Sequence, residues 1–422
     1  MTLEFRPELM WQDGQWHEGM QIEVESGAIV SIEPTEQSPT HPREAWLPGF
    51  VNAHSHAFQR GLRGRGEVFT NQRDDFWSWR EAMYELVNTL TPESAHLHSL
   101  RAFREMRAAG ITTVGEFHYI HHSDQGRDDA LDAAVLAAAD EAGVRIVLLH
   151  ACYLTGGFGV PLSGAQKRFD AGDLRTWWDA VDRAMSLCVS PLQTMGVVIH
   201  SLRAVSIDVA AAIRAEASAR GMVVHLHLEE QPAEIQAAQE AHGCTPMRLV
   251  LDHLDPGPDM TAVHCTHTDP KEMAAYASCG GQVCLCPLTE ANLGDGLSDL
   301  MGMRAHQTSI CLGTDSNARI SMFEEMRLCE YGQRLKSGAR GVCTDEDGRM
   351  DRALLEMGTL AGARSLGVDV GALSVGSCAD WVRINLDVAQ LQGVARDDLL
   401  AAMITGGDAR MVQGSVVGGV ES

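Results

Sequence analysis

Apolar and polar residues alternate along the first stretch of the chain, and the alternation changes character near residue 46. In GQWHEGMQIEVESGAIVSIEP, apolar positions recur every second residue around a Ser-Gly turn, with Pro and Thr clusters behind it. This pattern predicts the short strands of a small β unit. From residue 46 the sequence sets short apolar runs between helical stretches. The runs are WLPGFVNA, ITTVGEF, VRIVLLHA, GVVIHS, MVVHLHL, MTAVHC, GQVCLCP and SICLGTD. Between them, segments such as DDALDAAVLAAADEAG and DVAAAIRAEASARG carry helical periodicity and a Gly after the last turn. Strand and helix alternating in this way predicts an α/β fold, a parallel (β/α)8 TIM barrel. The tail from GALSVGSCADWVRINLD returns to short strands. We therefore expect 1–45 and 370–422 to form a small composite β-sandwich domain, and 46–369 to form the catalytic barrel. The segment from Arg65 to Thr91 is too long for a simple βα loop, so a lid or a subunit contact is expected there.

Composition narrows the partners. Hydrophobic residues make up 45% of the 422 positions and charged residues 21%, enough for a large core. The formal net charge of −24 disfavours a surface that tracks phosphates, so nucleic acid is not an expected partner. No apolar run approaches the roughly 20 residues needed to span a bilayer. MTLEFRPELMWQ has neither a basic nor an apolar leader region, so no membrane partner and a cytoplasmic location are expected. The 11 cysteines are odd in number and scattered between Cys152 and Cys378, which suits reduced, buried thiols. Cys284 and Cys286 are expected to pack in a strand.

In a barrel of this kind, reacting groups come from the C-terminal ends of the strands. Strand one ends in His54 and His56, whose spacing of two in extended backbone points both imidazoles to one face. Strand five ends in VVHLHLEE, strand six in His264, and strand eight in GTDSN with Asp315. Three imidazoles and a carboxylate suit zinc, with iron and manganese also compatible. Of the two strand-five histidines, His227 is nearer the strand end and three residues before Glu230, so it is assigned as the ligand and His225 to the core. His118 follows strand two and is expected to line the site, whereas His121, His122 and His267 are expected in solvent or one layer behind it. Binuclear barrels commonly bridge two metals with a carbamylated lysine. The only lysines here are Lys167, Lys271 and Lys336, none at a strand end, and strand four ends in His200. One metal per chain is expected.

Taken together, PGFVNAHSHA, the strand-five His with Glu230, His264, GTDSN and GALSVGSCADW resemble the amidohydrolase superfamily across nearly the whole chain. Within it, NAHSHAFQRGLRG, DDFWSWREAMY, LTPE, GEFHYIHH and HSLRAV are similar to the formimidoylglutamate deiminase family. That family removes ammonia from N-formimidoyl-L-glutamate in histidine degradation. The resemblance implies zinc on His54, His56, His227 and Asp315, with Glu230, His264 and Asp315 as catalytic acid/base groups. It also implies substrate contacts from Gln59, Arg80, Tyr119, His200 and Arg203, and a homodimer. Ile199 departs from the pattern, which has Pro before the histidine of strand four.

A glutamyl substrate carries two carboxylates, and a guanidinium fork matches a carboxylate better than an ammonium does. Arg80 and Arg203 are assigned that task. Arg60, Arg63, Arg65 and Arg73 are expected only to solvate a loop. Bound zinc would make hydroxide available near neutral pH for attack on the formimidoyl carbon. Asp315 and His264 would orient the water, and Glu230 would serve the imino nitrogen. Three rival functions remain open from sequence. One is deamination of a purine or pyrimidine base, and another is ring opening of a cyclic amide, as in imidazolonepropionase. The third is a non-catalytic zinc-binding protein, which would be expected to lack a ligand or an acid/base group.

Overall fold

The computed structural model describes residues 2–65, 67, 76–123 and 126–421. Eight parallel strands form one sheet whose spatial order follows the chain. They are β1 (Phe50–Ser55), β2 (Ile111–His118), β3 (Arg145–Cys152), β4 (Gln193–Ile199), β5 (Val224–Leu228), β6 (Met260–His264), β7 (Gln282–Leu285) and β8 (Ser309–Leu312). Every expected apolar run supplies one of them. Strands of a parallel barrel are covered on both faces, so they read as near-continuous apolar runs rather than alternating ones; β2 and β3 are buried at every position.

The sheet closes between its first and last strands. Ser55 bridges Asp315 in parallel fashion, and the Thr314 and Asp315 amides both donate to the His54 carbonyl at 3.0 Å. Gly313 permits this approach, because a Cβ there would stand 2.8 Å from the Cβ of His54. Helices wrap the outside, as in the helix Ala130–Ala142, which ends at Gly143 with φ +65°.

Both chain ends supply a six-stranded sheet beside the barrel. His41–Pro48 lies between Pro7–Gln12 and Trp381–Asn385, and the C-terminal strand Val412–Val417 extends it. Trp46 stacks on Trp381 at 4.8 Å in its core, with Phe5 edge-on. A three-stranded sheet of Leu3–Phe5, Met20–Glu25 and Ala28–Pro34 stands with it. The run WLPGFVNA is therefore two strands rather than one. Trp46, Leu47 and Pro48 pair with Arg383, Val382 and Trp381, and the barrel strand starts at Phe50. Gly49 makes the corner; a Cβ there would fall 2.2 Å from the Thr112 hydroxyl.

Among the described residues no helix is long and apolar enough to cross a membrane. All 11 cysteines are free thiols, and Cys284, Cys286 and Cys311 pack with Ala53, Val263 and Ala361. The expected lid between Arg65 and Thr91 falls partly outside the described residues, at 66 and 68–75. The remainder contains the helix Phe76–Thr89, and Arg73 also lies outside the described residues.

Candidate metal-dependent active site

The strand ends bring His54, His56, His227 and Asp315 together so tightly that one donor atom from each lies within 4.8 Å of the others. His227 Nε2 stands 3.2 Å from His54 Nε2 and 3.4 Å from His56 Nε2. Asp315 Oδ1 is 3.3 Å from both of the latter atoms. For ligand bonds of about 2.0–2.1 Å, a tetrahedral ion needs donors about 3.3–3.4 Å apart.

Hydrogen bonds decide whether these nitrogens offer lone pairs. His56 Nδ1 donates to the Phe117 carbonyl at 2.8 Å, and His227 Nδ1 donates to the His200 carbonyl at 3.1 Å. Each neutral ring then has a bare Nε2. The two bare nitrogens face each other, an arrangement without a hydrogen bond that a cation resolves. Burial depresses the pKa of His54 and His227, and that of His56 to about 3, so all three rings are neutral ligands. Burial alone would raise the Asp315 carboxyl, but the hydrogen bond and charge of His54, with His56 and His264, hold it well below the usual carboxylate range. The donor set fits one divalent ion.

Beside these donors stand Glu230 and His264. His264 Nδ1 donates to Glu290 Oε1 at 3.4 Å, which aims Nε2 into the site, 3.9 Å from both Glu230 Oε1 and Asp315 Oδ2. Burial pushes the Glu230 carboxyl up to about 7, with the Asp315 charge adding to it. Burial works against a charged His264, but Glu230, Glu290 and Asp315 outweigh it and raise its pKa. Both His264 and Asp315 have left-handed backbone, at φ +76° and +42°. Such conformations are costly for non-glycine residues and concentrate at functional sites.

A cavity of about 660 Å³ opens over the cluster. Its lining includes all five expected substrate residues, Gln59, Arg80, Tyr119, His200 and Arg203. Gln59 Nε2 donates to the Tyr119 hydroxyl at 2.9 Å. Arg203 Nε lies 3.5 Å from Oε1 of buried Glu234, and the Arg80 guanidinium sits 5.6 Å over the Tyr84 ring. Ile199 continues β4 with its side chain buried, and His200 follows it directly.

Several expectations need correction. His118 does not line the cavity; it faces the helix layer, 3.2 Å from Asp132 on Ala130–Ala142, because side chains alternate along β2 and Phe117 is the one that packs on the ligand histidines. Of the two places expected for His121, burial at 6% exposure excludes the one in solvent. Arg60 and Arg63 do more than solvate a loop. They clamp Glu105 at 2.9 and 3.0 Å, and Arg63 also donates to the Asn317 carbonyl. His225, by contrast, is a core residue, donating to the Ser365 carbonyl at 3.0 Å.

Sequence reasoning missed Glu290, Glu234 and Asn317. Glu234, four residues after Glu230, could have been sought as a buried partner for an arginine. Asn317 lay in the GTDSN motif but had no role. Its amide donates to Ser55 Oγ and to the His56 and Asp315 carbonyls, each at 3.1 Å, and accepts from Thr314 Oγ1 at 2.7 Å.

The fold and donor cluster define a metal-dependent hydrolase barrel, and residues 45–421 match the model of the Amidohydrolase family. The chain belongs to that family. Among known proteins it is 35% identical over 413 residues to a formimidoylglutamate deiminase of Pseudomonas aeruginosa, covering 96% of this chain and 91% of that one. It is 28% identical to an 8-oxoguanine deaminase of the same organism, covering 94% and 90%. An amidohydrolase structure from Brucella melitensis superposes with a TM-score of 0.92 at 33% identity, covering 99% of this chain and 94% of that one.

Proposed function

We propose that this amidohydrolase converts N-formimidoyl-L-glutamate and water to N-formyl-L-glutamate and ammonia, as a step in histidine degradation, using one zinc ion. The observation that carries the reading is the convergence of Arg80 and Arg203 on the same cavity as the donor cluster and Glu230. A substrate with an amidine at one end and two carboxylates at the other matches that distribution of charge. The similarity to a deiminase with this substrate in its name supports it.

His54, His56, His227 and Asp315 would hold the ion, whose chemistry is to acidify water toward neutral pH. Asp315 would accept a hydrogen bond from the attacking water and take up its proton, while His264, kept protonated despite burial by its carboxylate neighbours, donates a hydrogen bond to that water. Water adds to the formimidoyl carbon. Glu230, kept partly protonated near neutral pH by burial, delivers a proton to the imino nitrogen. The carbon–nitrogen bond to that nitrogen then breaks, ammonia departs, and the formyl oxygen comes from water. Glu234 holds Arg203 for a carboxylate, and Gln59 and Tyr119 line the wall beside His56.

One further observation favours a second reading. The cavity wall holds Trp79, Tyr84, Tyr153 and Phe169, and aromatic faces also suit a base of the kind named for the 28% identical relative. Ammonia release by zinc-loaded protein separates the two readings. The test compares N-formimidoyl-L-glutamate, N-formimidoyl-L-aspartate, guanine and cytosine, with imidazolone propionate followed by loss of its ultraviolet absorbance because ring opening frees no ammonia. Fast turnover of the glutamyl compound alone is expected. Turnover of a base alone overturns the proposal.

A further inference from the structure

A second histidine cluster lies outside the barrel lumen and takes no part in the reaction above. His118 at the end of β2, His121 in the following loop and Asp132 on α1 (Ala130–Ala142) each place one donor atom within 4.8 Å of the others. All three are buried, at 6, 6 and 2% exposure. From the structure we infer that these residues form a separate binding site for a divalent transition ion of the zinc class.

Hydrogen-bond directions carry the inference. His121 Nε2 lies 2.9 Å from the Ala151 carbonyl, which can only accept, so Nε2 bears the proton and a neutral ring has a bare Nδ1. That bare nitrogen points at Asp132 Oδ1 from 3.4 Å. His118 Nε2 is buried without a hydrogen-bond partner and lies 3.2 Å from the same oxygen. Two ring nitrogens thus crowd one buried carboxylate oxygen. The separations of 3.2 and 3.4 Å match the donor spacing of a tetrahedral ion with bonds of about 2.0–2.1 Å.

A fourth residue braces the set without joining it. The Trp177 indole N–H, on α2 (Leu174–Leu187), donates to His150 Nδ1 at 3.1 Å. In a neutral ring the His150 proton is then on Nε2, which faces Asp132 Oδ1 at 3.6 Å. His150 also stacks on His121 at 3.9 Å. His150 thus fixes the orientation of the His121 ring by stacking, and its Nε2 is held close to Asp132 without a hydrogen bond. A cleft of about 400 Å³, lined by Asp128, Asp129, Asp170 and Arg183 among others, reaches the cluster. It gives the ion a path in and a water for the fourth position. The ion would tie the loop after β2 to α1, so its role is structural.

The test counts metal. Wild-type protein, His54→Ala/His56→Ala and His121→Gln are stripped with chelator, dialysed against buffered zinc, and analysed for zinc per chain by mass spectrometry. About two ions are expected for wild type and about one for each variant, with zinc-dependent turnover retained in His121→Gln. Cobalt loading of His54→Ala/His56→Ala is expected to show the visible bands of a tetrahedral site, and its melting temperature to rise with metal concentration. A wild-type count of one that His121→Gln leaves unchanged overturns the inference, even if the double variant fails to fold. So does a folded double variant that binds no metal. Failure of the proposed deiminase activity changes neither count.

Discussion

Replacing Asn317 by alanine tests whether the active-site donors are held in place by the loop after β8. The two hydrogens of the amide nitrogen are shared among three acceptors at 3.1 Å, the amide oxygen accepts one bond at 2.7 Å, and the residue is fully buried. At about 1 kcal/mol for each neutral bond, their loss costs about 3–4 kcal/mol. Asn317 also has φ +56°, where a Cβ-bearing residue that cannot bond locally loses about 1 kcal/mol more. For a chain of this length, about 2.1 cal/mol/K per residue gives an unfolding entropy of ~0.9 kcal/mol/K. The melting temperature should therefore fall by about 5 °C if the chain unfolds as one unit. Asn317→Gly removes the same bonds but relieves the backbone conformation, so it should be the less damaged variant by about 1 °C. Because the network joins the His56 and Asp315 backbones, the zinc concentration for half-maximal turnover should rise about 10–100-fold in both variants. Thermal melts of the zinc-loaded proteins and zinc titrations of turnover read these effects. An Asn317→Ala protein that melts within about 1 °C of wild type, with unchanged zinc dependence, refutes the argument.

Three other perturbations have defined outcomes. Glu230→Gln should keep the donor cluster and its metal while kcat falls about 10²–10⁴-fold, since the variant has no proton to give; metal content and turnover decide, and a near wild-type rate removes Glu230 from the mechanism. Arg203→Met should lower kcat/KM for N-formimidoyl-L-glutamate about 10–100-fold, mostly through KM, as expected for a lost charged hydrogen bond; an unchanged KM speaks against a carboxylate contact. Glu116 is buried, and burial pushes its carboxyl up to about 8 despite the bond it accepts from the Ala57 amide. A carboxyl raised in this way contributes stability below its unfolded pKa, about 4.3, that is lost as pH rises toward 8. Glu116→Gln, fixed in the neutral form, should gain in melting temperature relative to wild type between pH 5 and 8; a difference independent of pH shows that Glu116 is ionised in the folded protein.

The parts of this site that follow from strand periodicity were legible in the sequence. His54 lies in β1 and His56 one residue past its end, so the two-residue spacing that puts both rings on one face carries just beyond the strand. His227 could be separated from His225 because only the residue nearer the strand end reaches the mouth of the barrel. The same rule, applied to β2, would have sent His118 outward with Glu116, since Phe117 between them points in. What could not be read lies on chain that leaves the strands. Asp315 is the exception: although three residues past the end of β8, it was legible in GTDSN, and its left-handed bend returns it to the cluster. Glu290 reaches His264 from the short helix Pro287–Leu293, whose direction depends on the corner after β7. Glu105 pairs with Arg60 and Arg63 across more than forty residues of sequence, so those arginines looked unpartnered. The break at Pro48 and Gly49 was hidden because the apolar run continues through it while the chain passes from one sheet to another.

Charge is graded along the cavity, and the gradient bears on which molecule can enter it. Asp315 and Glu230 crowd the floor, with Glu290 behind His264; there His264 is 1% and Asp315 5% exposed. Arg203, with its side chain 26% exposed, stands nearer the opening. Carboxylates packed this closely raise one another's pKa unless cations join them, and here burial adds to the effect for Glu230. A metal ion on the floor relieves part of that repulsion. An amidinium group relieves more, since it can meet Glu230 while presenting its carbon to the donors. The two carboxylates of a glutamyl moiety would be repelled by the same floor and are left to the arginines at the other end. A purine satisfies the aromatic wall but brings no carboxylate to the arginines, so discrimination between the two proposed substrate classes would rest on the outer half of the cavity.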